Sequence, residues 1–284
     1  MEETFYNLLS IFICFAPFCG GALILGLAAF FIIRTIGRQV KPPTAEQVNA
    51  DGRDLQTQVG WLAHRLAAWT PDALADLSTD WDAKWSRWGR DLKAHGTLPS
   101  VARPKEISWV AFGLRVRGAS EPDGILHART SGQTLDYRVT RGGVAIRLNG
   151  APFGQVRADG VLLDAQGRAV GEAKRPGGMP VVFRAAGAAA TYDARESSYP
   201  LILEGITVAR IAHPPLEIFN VIEIKKQTRI PALEMIDPSP AQAAEWALAL
   251  AVLQAAYHLF ESVWTDAGGI RLKRVGKYRP FRFR

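Results

Sequence analysis

Histidines and carboxylates are the residues of this sequence that are most often used in catalysis, and their spacing predicts no active site. The five histidines are scattered and show no metal-ligand spacing. Glu261 follows His258 by three residues on one helical face, which could suggest a general base, although a hydrogen-bonded core histidine is the commoner explanation. Phosphate-binding glycine loops and the nucleophile elbow are absent from the sequence. We therefore predict a non-enzymatic protein with no catalytic, cofactor-binding or metal-binding residues.

Positive charge at the C-terminal end is the most distinctive chemistry of the chain. The basic tail, residues 267–284, holds seven basic residues and no acid within 271–284, while the formal net charge of the whole chain is +7. These residues are Arg271, Lys273, Arg274, Lys277, Arg279, Arg282 and Arg284. Lys225 and Lys226 form a second basic pair at the end of a predicted strand. Such residues bind anionic lipid, although an acidic partner or RNA would suit them equally and an unstructured terminus is the simplest alternative.

The N-terminal segment indicates a membrane anchor. Residues 4–33 carry no charge, whereas about 20 apolar residues are enough to cross a bilayer. Basic residues follow this stretch at Arg34, Arg38 and Lys41, so the positive-inside rule places the N-terminus outside and the rest in the cytoplasm. A cleaved signal peptide would have a shorter apolar core and a basic start. We predict a transmembrane anchor at 1–40, which makes lipid the nearest polyanion and nucleic acid an unlikely partner.

Helical spacing dominates the next part of the chain. After a linker at 41–52, two apolar series with steps of three and four residues predict an amphipathic helical hairpin at 53–98. The series are Leu55, Val59, Leu62, Leu66, Trp69 and Leu74, Leu77, Trp81, Trp85, Trp88, Leu92. The Thr70-Pro71 pair fits the start of the second helix. This hairpin packs against its neighbours or, as an alternative, provides a surface for self-association.

Strand patterns fill a β-rich domain at 99–266. Short apolar runs alternate with turns such as Asn149-Gly150 and Asp159-Gly160, which favour tight hairpins. The predicted strands are 109–116, 134–139, 144–148, 161–163, 181–184, 201–203, 206–211, 219–224 and 232–236. Many short strands at this spacing are typical of an antiparallel sandwich or barrel.

An apolar helix is predicted at 240–264. Ser239, Pro240 and Gln242 fit an N-cap, the first helical position and the third position of a capping box. No charge occurs between Trp246 and Phe260, and a helix that is apolar on every side is buried in a core or in lipid. This run is short for a membrane crossing, so a core helix is favoured over a second span.

The pairing of many β-hairpins with one apolar C-terminal helix resembles the tubby-like superfamily, which includes the LURP-one proteins and the phospholipid scramblases. The glycine pattern at Gly160–Gly171 and the helix at 240–264 carry this resemblance, over about residues 107–265. It implies a closed antiparallel barrel around a hydrophobic helix, and binding at lipid surfaces. The sequence has no acidic loop like the calcium segment of scramblases, so scramblase-like activity is less expected.

Together these patterns predict an α+β membrane-anchored protein. It would contain a transmembrane helix, an amphipathic hairpin and an antiparallel β-barrel or sandwich packed around an apolar C-terminal helix. The expected function is that of a single-pass, membrane-tethered module whose cytoplasmic domain and basic tail bind anionic lipid or a membrane partner. The alternative is a subunit or assembly factor of a membrane protein complex. The alanine-, glycine- and arginine-rich composition suggests a bacterial source.

Overall fold

The computed structural model divides the chain into two compact units, Met1–Lys41 and Pro42–Arg284. It describes residues 30, 43–88, 91–117, 123–140, 142–175, 198–212, 230–265 and 276–278. Every helix and strand discussed below belongs to the second unit.

The second unit contains two helices, a short 3-10 turn and thirteen strands within the described residues. The helices are α1 (Ala45–Ala63) and α2 (Ala243–Thr265), and the 3-10 turn is Pro71–Ala73. The first strands are β1 (Asp82–Trp88), β2 (Asp91–Pro99), β3 (Ser108–Arg117), β4 (Asp123–Arg129), β5 (Thr134–Thr140), β6 (Gly143–Leu148) and β7 (Ala151–Arg157). The others are β8 (Val161–Asp164), β9 (Ala169–Glu172), β10 (Ser198–Leu203), β11 (Ile206–Ala212), β12 (Leu233–Met235) and β13 (Gly276–Tyr278).

These strands form one antiparallel sheet in which β1 to β12 lie side by side in chain order. Strand β13 is added beside β1, so the strand order ends at β12 and β13. Tight turns set the register of the hairpins: Asn149 and Gly150 between β6 and β7 have φ of 51° and 80°, and Glu204 and Gly205 between β10 and β11 have 52° and 81°. Two successive residues with positive φ match the right-handed twist of the paired strands.

An irregular segment at 77–79 connects distant parts of the sheet. Leu77 forms an isolated bridge with Ser100, just after β2, and Ser78 forms one with Pro231, before β12. The amide of Ala232 donates to the Leu77 carbonyl at 2.6 Å. The chain therefore brings the region before β12 within hydrogen-bond distance of the segment that leads into β1.

Helix α2 lies in the hydrophobic core. From Trp246 to Leu259 every side chain is buried except that of His258, which is half-buried, and the apolar ones belong to one cluster with the inward side chains of the strands. The phenol of Tyr137 on β5 donates to the Ala249 carbonyl at 3.0 Å, which satisfies a polar group that burial would otherwise penalise. Burial of this apolar helix removes apolar surface from water and so stabilises the fold.

Several details of the predicted fold class are wrong. Residues 82–88 and 91–99 form strands β1 and β2, so the amphipathic helical hairpin, and with it the helix pair proposed for self-association, is not formed. Only its first helix exists, and it begins at Ala45, within the predicted linker. The barrel or sandwich is corrected to one sheet whose strand order is open.

The start of the C-terminal helix also differs from the prediction. Helix α2 begins at Ala243, three residues after Pro240, and Gln242 has a left-handed backbone with φ of 60°. A left-handed residue cannot occupy the third position of a right-handed helix, so the predicted capping box does not form. The amide of Ser239 instead donates to the Asp237 carboxylate at 2.8 Å.

The predicted membrane topology is corrected as well. Among the described residues, none of the helices combines the length and the apolar character that a bilayer crossing requires. This finding does not support a single-pass membrane protein with an outside N-terminus and a cytoplasmic domain, and that prediction is withdrawn. Apart from Phe30, the predicted anchor at 1–40 lies outside the described residues.

Helix α1 packs on the outer face of β2, β3 and β4. Thr44 and Gln47 form a capping box at its start, which satisfies two backbone amides. Leu55 and Val59 are its two buried residues, and both lie over Gly113 of β3. A Cβ atom at Gly113 would be 3.0 Å from the Leu55 Cδ2 atom, so glycine allows the helix to approach the sheet closely.

Charged side chains hold the N-terminal half of α1 on the sheet. Asp51 accepts two hydrogen bonds from the Arg117 guanidinium, at 2.6 and 2.9 Å, and Lys93 contacts Asp54 at 2.6 Å. Asp51 also lies 3.8 Å from Arg115. Burial lowers the pKa of Arg115, and the neighbouring Arg117 lowers it further. Asp51 therefore stabilises both arginines, with its shortest contact to Arg117, and Asp91 lies within 4.0 Å of the same two guanidiniums.

Replacing Asp51 by alanine is expected to lower the free energy of unfolding by about 1–2 kcal/mol, because two partly buried guanidiniums lose a partner. Urea unfolding at low and high salt measures this, and the difference from wild type should shrink at high salt. Asp54→Ala is the control, since its ion pair is more exposed and its loss should cost less. Equal losses in the two variants would contradict the role given to Asp51.

Candidate anion-binding surface

Three basic residues occupy one register row of the sheet where β13, β1 and β2 pair. Strand register places Lys277 of β13 opposite Lys84 of β1, and Lys84 opposite His95 of β2. We call Lys277, Lys84 and His95 the cationic row. The β13-β1-β2 order of the strands accounts for this row, because it brings Lys277, near the C-terminal end of the chain, into line with Lys84 and His95.

The electrostatics of this row favour an anion. Burial lowers the pKa of His95, and the positive charges of Lys93 and Lys84 lower it further. Lys93 is neutralised by Asp54, whereas exposed Lys84 makes no ion pair with any described residue. Like charges at directly opposite positions of a sheet destabilise the pairing. An anion that binds here would reduce that repulsion.

The structure brings one of the predicted lipid-binding residues to this surface. Lys277 lies in the row through the pairing of β13 with β1. The other predicted residues, Arg271, Lys273, Arg274, Arg279, Arg282, Arg284, Lys225 and Lys226, lie outside the described residues. Residues 276–278 of the tail are a strand of the sheet.

Sequence reasoning missed Lys84 and His95 because helical spacing was assigned to their segment. A two-residue period was also present: Leu92, Ala94 and Leu98 are buried, whereas Lys93, His95 and Thr97 are not fully buried. That alternation is the pattern of a half-buried strand and would have placed the three polar residues on one face.

Two further histidines of the described residues contact other side chains. On β4, two strands away from β2, the Nδ1 atom of His127 is hydrogen bonded to the carboxylate of Asp136, its register partner on β5. His258 packs edge-on against the Trp81 ring with centroids 5.0 Å apart, and burial lowers its pKa to about 4. In the parts of the chain that the structure covers, no group of three or more His, Cys, Asp or Glu residues is placed to hold a metal ion.

No protein-family model, curated protein or solved structure matches the chain. The resemblance to the tubby-like superfamily therefore stays a prediction.

Proposed function

We propose that this protein is a non-enzymatic module that binds anionic phospholipid surfaces through the cationic row and the basic tail. The observation that carries the proposal is the register of β13, which places Lys277 opposite Lys84 and in one row with His95. It supports a positive surface to which Lys84 and Lys277 of the sheet contribute, and Lys277 is one of the seven basic residues at 271–284.

The expected strength of binding follows from the charges. Each basic residue near an anionic leaflet contributes about 1 kcal/mol, before the entropy of ordering is subtracted. Attraction of this kind is screened by salt over about 8–10 Å at physiological ionic strength. Binding is therefore expected to need acidic lipid and to weaken as salt is added.

Co-sedimentation of the full chain with vesicles tests the proposal. Vesicles of phosphatidylcholine alone and with phosphatidylserine are compared at low and high salt. Reversing the charge of Lys84 and Lys277 to glutamate should weaken binding to the acidic vesicles at least about tenfold, from the loss of two favourable charges and the gain of two repulsive ones.

The matched control reverses Arg103 and Lys105, two exposed basic residues between β2 and β3. This variant has the same net charge as the test variant, so equal weakening in both would show a general charge effect and no specific surface. A wild-type chain that ignores acidic vesicles at every salt concentration would refute the proposal.

A further inference from the structure

A second candidate site lies between the C-terminal half of α1 and the turn that joins β4 to β5. It is a groove with a volume of about 500 Å³, within the range of small-molecule sites. Its chemical groups come from Thr57, Trp61, His64, Arg129, Thr130 and Ser131. We call it the α1–β4 groove. No residue of the cationic row lines it, so it is a separate site.

The lining of the groove is positively charged. It contains the Arg129 guanidinium and the His64 imidazole but no acidic residue. Arg129 is exposed and forms no ion pair within the described part of the chain. A guanidinium of this kind pairs with carboxylates and phosphates, often through two parallel hydrogen bonds.

Hydroxyl groups supply further polar contacts. The Ser131 Oγ atom accepts a hydrogen bond from the Trp69 amide at 2.6 Å, so the loop holds this oxygen in place and its O–H remains able to donate. Thr130 is held by its own turn, since its Oγ1 atom accepts from the Gln133 amide at 2.9 Å. The polar side of the groove is thus built on a fixed turn.

The aromatic side is Trp61. Its side chain is 77% exposed, although most large aromatic residues of the described chain are buried or half-buried. An indole beside the Arg129 guanidinium offers a flat surface for a ring, because offset stacking and burial of its face are both favourable. The charge of Arg129 and the flat ring of Trp61 therefore both favour a ligand that is anionic and aromatic.

We propose that the α1–β4 groove binds a small aromatic anion, a carboxylate or phosphate attached to a planar ring. The ring packs on Trp61, and Arg129 and Ser131 hold the anionic group. The inference concerns a soluble ligand and does not depend on the lipid-binding surface.

Isothermal titration calorimetry of the full chain tests this proposal with benzoate, phenyl phosphate, benzamide and inorganic phosphate. The wild type should bind one or both ring anions at one site, and benzamide and inorganic phosphate at least about tenfold more weakly, since each lacks one half of the recognised chemistry. Comparison of benzoate with phenyl phosphate identifies the preferred anionic group. Equal affinity for inorganic phosphate and phenyl phosphate would overturn the role of the ring, and no heat with either ring anion would overturn the site.

Variants separate binding from folding. Arg129→Gln and Trp61→Ala should each lose at least about tenfold in affinity, as for the loss of one good polar or stacking contact, with thermal unfolding close to that of wild type. Arg103→Gln, at an exposed arginine outside the groove, should bind as wild type does. Because α1 ends at the groove, Arg129 could instead serve the carbonyl groups of the helix terminus. In that case Arg129→Gln would lower the thermal midpoint and leave affinity unchanged, which would contradict the proposal.

Discussion

Replacing Trp246 by alanine is expected to lower the free energy of unfolding by about 3–5 kcal/mol, the largest effect of any single change considered for this chain. Trp246 is 2% exposed and its ring packs against Phe153 with centroids 4.7 Å apart. The same ring lies over Gly154 of β7, where an added Cβ atom would be 2.7 Å from it. The indole therefore fills the space between helix α2 and the β6–β8 part of the sheet, and its removal leaves a cavity that the backbone cannot close.

Chemical denaturation followed by far-ultraviolet circular dichroism measures this loss. Trp61→Ala is the matched control, because it removes the same side chain from a position that is 77% exposed; its stability should change by no more than about 0.5 kcal/mol. Equal stabilities of the two variants would mean that α2 is not packed in the core as described.

The free energy of unfolding is expected to fall between pH 7 and pH 4 because of the imidazole of His258. Burial, with a smaller contribution from Arg175, lowers the pKa of His258 from 6.5 to about 4. The unfolded chain binds a proton at this residue near pH 6.5, whereas the folded chain binds it only near pH 4. The contribution of the neutral imidazole is therefore complete above pH 6.5, is lost as the pH falls through this interval, and changes little below it.

Phenylalanine at position 258 removes this titration and keeps a ring beside Trp81. Between pH 7 and pH 4 the wild type should lose about 2–3 kcal/mol more stability than His258→Phe does. His64→Phe, at an exposed histidine, should follow the wild-type profile. Parallel profiles for wild type and His258→Phe would show that His258 does not titrate between the two states in this way.

The parts of the fold that sequence predicted well are those where local chemistry dictates structure. Asn149 and Gly150 form a tight turn with positive φ, and the strands predicted at 134–139 and 144–148 are present on either side of the β5–β6 connection. Leu55 and Val59 were assigned to one helical face, and both are buried beneath α1. In each case the residue types and their spacing along the chain indicate the conformation.

The segment around Trp81 and Trp85 was misassigned because its spacing fits two periods. Residues four apart lie on one face of a helix and also on one face of a strand. Trp81 and Ala83 are buried while Asp82 and Lys84 are exposed, which is the strand alternation. The pairing of β1 with β2 and β13 decides between helix and strand, and this pairing depends on residues outside the segment.

The cationic row also could not be predicted in full from local sequence. The basic tail was visible as a composition bias, but its neighbours Lys84 and His95 are separated from Lys277 by more than half of the chain. Only strand register reveals that Lys277 lies beside them. Composition could therefore predict the charge of the surface but not the residues of the sheet that share it.

The order of the strands has a consequence for how the chain folds. Successive hairpins from β1 to β9 join residues that are close in sequence, so each can form with little loop-closure entropy. The contacts of the 77–79 segment are different: the hydroxyl of Thr79 and the carbonyl of Ile230 are 151 residues apart along the chain. These contacts are expected to form after the meander and to open before it, so the amides of Thr79 and Ala232 should exchange with solvent deuterium faster than those of β4 and β5.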